Sequence, residues 1–249
     1  MTLGTTTNGR CRMAVNKVIP GFDEAVADVY DGAVLLIGGF GTVVSCASRL
    51  IEAIARRDIK NLTIVGNTAG FGAAIWDMAG FTGFDDHDLL VRTGMVSRAI
   101  VSFPVHHLIE TNLEKKIKSG EVEFEMVPQG TMAERIRAAK AGIGGFYTPT
   151  ATDTMLEEGK ETRIIDGRKY VLEYPIKADF AIIRAYMADR WGNLVYRGTS
   201  RTFNATMAGA ARVTIAEVDE VVELGELDPE AIVTPGIYVD RIVARQEEG

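Results

Sequence analysis

Four short apolar runs, VLLI (34–37), LTIV (62–65), AIVSF (99–103) and VEFEMV (122–127), are each followed by turn residues and then by a stretch of helical character. A chain that repeats strand, turn and helix has few folds open to it. The strands pair in parallel and the helices cross over to cover the sheet. VLLI sits between Asp31-Gly32 and Gly38-Gly39 with no polar alternation, which suits a strand buried on both faces. The pattern predicts strands at 33–38, 62–66, 98–103, 122–127, 180–187 and 213–218, and helices at 22–30, 46–57, 107–119, 131–140 and 205–211. The helix at 46–57 places Leu50, Ile51 and Ile54 on one face. The fold class is therefore α/β, a mainly parallel sheet flanked by helices.

Two regions depart from this rhythm. Residues 161–197 contain Asp166-Gly167 and Gly192-Asn193 between β-rich runs, the pattern of hairpins, so an antiparallel β lobe is expected there. Residues 71–95 carry four glycines among Trp76, Phe81 and Phe84 and read as a packed, irregular loop.

In parallel sheets, ligands bind beyond the carboxyl ends of the strands. That rule selects Gly39–Val44, Gly66–Gly70, Pro104–His107 and Pro128–Thr131, which could meet along one rim. The first of these loops has the opening spacing of a dinucleotide fingerprint at Gly39 and Gly41, but Val44 stands at the third glycine position, so the motif is only half present. Asn67 ends a buried strand. Its carboxamide can donate to an oxyanion and accept from an amide, although a turn-forming role fits equally well. Gln129 lies between Pro128 and Gly130, where a turn needs no glutamine, so a ligand contact is favoured. GIGGFYTPT (142–150) could bring backbone close to a ligand or simply turn between layers.

Other chemistries find little support. The net charge of −7 leaves no basic face for nucleic acid, and no apolar run is long enough to span a membrane. MTLGTTTNGRCRM lacks the apolar segment of a secretory signal, and Cys11 and Cys46 form no framework, so a reducing cytoplasm is expected. His87 lies in FDDHD without metal-ligand spacing and reads as part of a solvated acidic loop. His106 and His107 read as the start of a helix. Glu134 and Arg137 read as a surface ion pair. No G-x-S-x-G nucleophile elbow occurs.

Taken in order, DGAVLLIGGFG (31–41), VPQGTMAERIRAAKAGIGGFYTPT (127–150), EEGKETRIIDGRKYVLE (157–173), ADFAIIRAYMADRWGNLVYR (178–197) and VVELGELDPEAIVTPGIYVDRIV (221–243) resemble the A (alpha) subunits of the family I CoA-transferases. The resemblance covers nearly the whole chain after residue 15. It implies a polar tail at 1–15, a single A-type CoA-transferase domain over 16–249 and, for partner, the B (beta) subunit. It implies transfer of CoA between an acyl-CoA and a carboxylic, 3-oxo acid, with CoA the only carrier and no cofactor or metal. In the family a glutamate attacks the thioester to give an anhydride and then a glutamyl-CoA thioester. That glutamate lies in an E-N-G-like context on the B subunit, and no such context occurs here. No catalytic nucleophile is therefore expected in this chain. The resemblance makes Gly38, Gly39, Phe40, Gly41, Asn67, Gln129 and Gly130 the substrate-binding wall.

GGFGTVVSCASRL departs from the family pattern, with Val44 and Ser45 around the usual glycine position and Ala47 where a proline would open the helix. The 71–95 segment is also longer than in that family. Either the loop has found another stable turn with Ser45 as helix N-cap, or the acyl pocket is reshaped with 71–95 covering it; the second is favoured. A thioester hydrolase on the same fold, or a non-enzymatic effector-binding domain, remain as alternatives.

Overall fold

The computed structural model describes residues 15–106 and 109–245. Cys11, His107 and all of the expected tail except Val15 lie outside the described residues. Along the chain come α1 (Phe22–Ala25), β1 (Val34–Ile37), α2 (Ser48–Ala55), β2 (Leu62–Gly66), α3 (Ala73–Met78), α4 (Asp88–Arg92) and β3 (Val96–Val101). Next are α5 (Asn112–Lys118), β4 (Glu123–Met126), α6 (Gln129–Ala141), β5 (Phe146–Thr148), β6 (Thr162–Ile165) and β7 (Arg168–Glu173). The chain closes with β8 (Ala178–Asp189), β9 (Leu194–Val195), α7 (Thr202–Met207), β10 (Ala211–Val222) and β11 (Arg241–Ala244).

The large sheet has the order β4-β3-β2-β1-β8-β10-β11. Its seven members are parallel, and β9 pairs antiparallel with β8. The chain enters at β1, winds outward to β4, then returns to the other side of β1 through β8. Leu35 pairs with Ile64 on one side and with Phe180 on the other. The winding direction reverses between β1 and β8, and this is where a doubly wound sheet opens a crevice.

Period-2 alternation in the strands builds two cores. Leu35 and Ile37 face Leu50, Ile51 and Ile54 of α2, together with Leu90 of α4 and Leu113 of α5. Leu36 faces the opposite way, toward Met132 and Ile136 of α6 and Phe203 and Met207 of α7. The sheet is thus covered on both faces, as the apolar strands require. No helix among the described residues is long and apolar enough to cross a membrane.

Several expectations need correction. The helix at 22–30 stops after Ala25. The one expected from 107 starts at Asn112, because Thr111 and Glu114 form a capping box: Thr111 Oγ1 accepts from the Glu114 N–H and the Glu114 carboxylate from the Thr111 N–H. His106 precedes that cap and starts no helix. Residues 71–95 are not a loop throughout but contain α3 and α4. The antiparallel lobe is confined to β5-β7-β6, whose β6–β7 turn is Asp166-Gly167 with both φ positive. β8, within the stretch assigned to that lobe, belongs instead to the parallel sheet. The hairpin expected across Gly192-Asn193 is present as β8–β9, whereas short β5 and β11 were not expected.

Candidate active site

The carboxyl ends of β1, β2, β3 and β4 deliver Gly38, Asn67, Ser102 and Pro128 to one rim. Phe40, Gly41, Asn67, Thr68, Phe71, Ser102, Phe103 and Gln129 line a cavity of about 440 Å³ there. Phe40 and Gln129 also line an adjoining apolar cavity of about 340 Å³ with Ala133, Thr202, Phe203 and Thr206. Phe40 stacks on Phe203 at 6.4 Å between ring centroids. The structure therefore brings Phe40, Gly41, Asn67 and Gln129 together. Gln129 is not in a loop but is the first residue of α6, with Pro128 as N-cap. Gly130 is the next helical residue and lines neither cavity. No charged, histidine or cysteine side chain among the described residues lines these two cavities.

Gly38, Gly39 and Cys46 lie at a small recess below, with Asn67, Thr68, Phe71, Trp76, Asp86 and His87. Burial, aided by the Asp86 and Glu217 charges, pushes the Cys46 thiol well above its ordinary range, so it holds no thiolate for nucleophilic work.

The glycine loop is built to hold itself. Gly39 and Gly41 have φ of +114° and +58°, a conformation that glycine adopts without strain. Between them and α2, Val43–Ser45 form a 3₁₀ turn. Ser45 does not cap α2; its Oγ accepts from the Phe40 N–H and donates to the Thr42 carbonyl. The cap comes from across the sheet, where Glu217 of β10 accepts from the N–H groups of Arg49 and Leu50 at 3.0 and 3.1 Å. This explains why the half-matching fingerprint makes no dinucleotide site. The helix N-terminus that would receive a pyrophosphate already holds a carboxylate. Val43 and Val44 line neither rim cavity nor the recess, whereas Cys46 of the same altered stretch does line the recess. The 71–95 segment does reach the site, through Phe71 in the rim cavity and recess and Trp76 in the recess.

FDDHD is not solvated. Asp86 and Asp88 are 3% and 1% exposed. Asp86 accepts from the N–H groups of Phe71, Gly72 and Asp88 and from Trp76 Nε1. His87 Nε2 lies 2.8 Å from the Thr68 carbonyl. Together they shape the Asn67–Gly72 wall. The described residues contain no group of acidic, histidine or cysteine side chains able to hold a metal ion.

Burial pushes the Asp88 carboxyl up to about 6 from 3.8, against the Asn112 amide hydrogen bond that favours the charge. Because the folded chain holds this proton more tightly, it binds more protons than the unfolded chain between about pH 4 and pH 6. The Asp88 contribution to stability therefore falls as pH rises through that window. Asp88→Asn is expected to remove that loss, which amounts to as much as ~3 kcal/mol above pH 6. Urea midpoints of the two chains at pH 4.5 and 7.5 check this; an unchanged gap between them would contradict it.

Sequence reasoning missed Glu217 and Asn204, because each acts across the sheet from 150 or more positions away in the chain. It read Glu134 and Arg137 correctly as an ion pair, 2.7 Å apart on the surface. A larger cavity, about 810 Å³, shares no lining residue with the rim cavities. Arg49, Arg56, Arg197 and Arg245 line it, but Glu52, Asp23 and Glu217 already pair with the first, second and fourth. Little positive field remains there for an anion.

The coenzyme A transferase family model matches residues 20–245. The chain belongs to the coenzyme A transferase family. It is 49% identical over 234 residues to the A subunit of 3-oxoadipate CoA-transferase from Acinetobacter baylyi, covering 93% of this chain and 96% of the relative. It is 43% identical over 236 residues to the A subunit of a probable succinyl-CoA:3-ketoacid coenzyme A transferase from Bacillus subtilis, covering 94% and 93%. Among solved structures, an acyl-CoA transferase of Escherichia coli O157:H7 superposes with a TM-score of 0.80 at 21% identity, over 96% of this chain and 48% of that one. That likeness shows the coenzyme A transferase fold, in which this chain is matched to about half of a longer polypeptide.

Proposed function

We propose that this chain is the A subunit of a two-subunit CoA-transferase that moves CoA between an acyl-CoA and a carboxylic, 3-oxo acid. The catalytic glutamate is supplied by the B subunit. One observation carries this reading. Asn67 and Gln129 arrive from two different strand ends at one cavity, and neither carboxamide has a hydrogen-bond partner among the described residues. Two free amide donors facing an apolar-walled space can stabilise a charge developing on a thioester or anhydride oxygen. No carboxylate, histidine or cysteine side chain among the described residues lines these two cavities, so in this reading the nucleophile comes from the partner. The names of the relatives, each an A subunit, support the same division of labour.

In this reading the partner's carboxylate attacks the thioester carbonyl and CoA leaves as the thiolate. Gln129 and Asn67 hold the oxyanion, while Phe40, Phe71 and Phe103 exclude water from the anhydride. The Gly39–Gly41 backbone shapes the wall, CoA serves as substrate carrier, and no further cofactor takes part. The cytoplasm supplies the acyl-CoA pool.

The test is transfer by this chain co-expressed with the B subunit, with and without an acceptor acid. Turnover is expected only when both the partner and the acid are present. Thioester loss at the same rate without the acid would show a hydrolase instead.

A further inference from the structure

Asn204 of α7 is completely buried at the point where the sheet reverses between β1 and β8. Its Nδ2 donates to the carbonyls of Ser45 and Ser200, both at 2.9 Å, and its Oδ1 accepts from the Arg184 N–H of β8 at 3.0 Å. A methyl group on Gly38 would lie 1.8 Å from that Oδ1. The carboxamide therefore fills the crevice from below and joins three segments that the sequence separates widely. From Ser45 the connection runs on to the rim: Ser45 Oγ holds the Phe40 N–H, and Phe40 lines both cavities of the site. On its other side Asn204 supports Ser200 and Thr202. Thr202 lines the apolar cavity with φ of +36°, a conformation costly for a β-branched residue and kept only where the surroundings enforce it.

We propose that Asn204 is a positioning residue for the acyl-transfer site. It fixes the glycine loop and Phe40 against the strand of β8, and Gly38 is glycine to admit its carboxamide rather than to let substrate approach. This rests on the CoA-transfer reading for the reaction it serves. The pairing of Gly38 with Asn204 is a property of the chain alone.

A double-mutant cycle separates the two. Gly38 does not have a positive φ, so alanine there is strained by Asn204 and not by its own backbone. In the assembled enzyme, Asn204→Ala is expected to lower kcat by roughly 10–100-fold, as loss of alignment does, with KM changed less than about threefold. Gly38→Ala alone should lower both kcat and melting temperature. Added to Asn204→Ala, it should cost almost nothing more in either, because neighbouring residues are non-additive when one removes the other's clash. Asn204→Asp keeps size and the bond to Arg184 but turns a carboxylate on two carbonyls; it should lose kcat as Asn204→Ala does.

All assays are run at a temperature where circular dichroism shows every variant folded. Wild-type kcat in Asn204→Ala and Asn204→Asp would reduce Asn204 to a structural role. An equal penalty for Gly38→Ala with and without Asn204 would overturn the assignment of Gly38. Failure of CoA transfer in the wild-type pair would instead remove the reaction, leaving the melting-temperature cycle to decide the pairing.

Discussion

Gln129→Ala in the assembled enzyme is expected to lower kcat by about 10²–10³-fold, the usual loss when one donor to a developing oxyanion is removed. The melting temperature should hardly change. Gln129 is exposed at the first position of α6, its side chain bonds to nothing among the described residues, and alanine is a good helix former. Gln129 lines both rim cavities, which is where the proposed reaction takes place. Steady-state kinetics and thermal melts of the same preparation check both halves. An unaltered kcat with a lowered melting temperature would make the glutamine structural.

Asp86→Ala should have the opposite profile, with a loss of about 3–5 kcal/mol in stability. The carboxylate accepts four hydrogen bonds at 2.7 to 3.1 Å in a site almost closed to water. Removing it leaves three backbone N–H groups and the indole of Trp76 without partners, and each buried orphan costs about 1–3 kcal/mol before relaxation. The damage centres on the turn at Gly70 and Gly72, whose positive φ values bring backbone against Asp86 and Asp88. Asp86→Asn, which keeps two acceptor lone pairs, should lose about half as much. Urea unfolding of the three chains measures this. Equal midpoints for wild type and Asp86→Ala would show that 71–95 does not depend on this carboxylate.

The contrast between these residues shows what a sequence reveals. VLLI and LTIV declare buried parallel strands because a short apolar run without alternation needs cover on both of its faces, and their carboxyl ends then locate Asn67 and the glycine loop. Gln129 stands out because a turn between Pro128 and Gly130 needs no glutamine, whereas Asn67 at its strand end could equally have been a turn former. Asp86 and Asp88 misled for a physical reason. Three acids around one histidine normally stay in water, and only the backbone N–H groups of a folded glycine turn make their burial tolerable. Glu217 and Asn204 were hidden more completely. Each acts on the α2 entrance from β10 or α7, and nothing local to TIAEVDE or RTFNATM announces that partner. The altered residues at 43–47 suggested a changed pocket. The structure shows a self-bonded turn at Val43–Ser45, with Cys46 beside Phe71 and Trp76 in the wall of the recess.

The division of labour between the two chains is open to one direct measurement. The co-expressed pair is incubated with acyl-CoA in the absence of acceptor acid, quenched in acid, and each chain is weighed by intact-mass spectrometry. A CoA or acyl adduct is predicted on the partner and none on this chain. An adduct on this chain, mapped to any of its own carboxylates, would contradict the account.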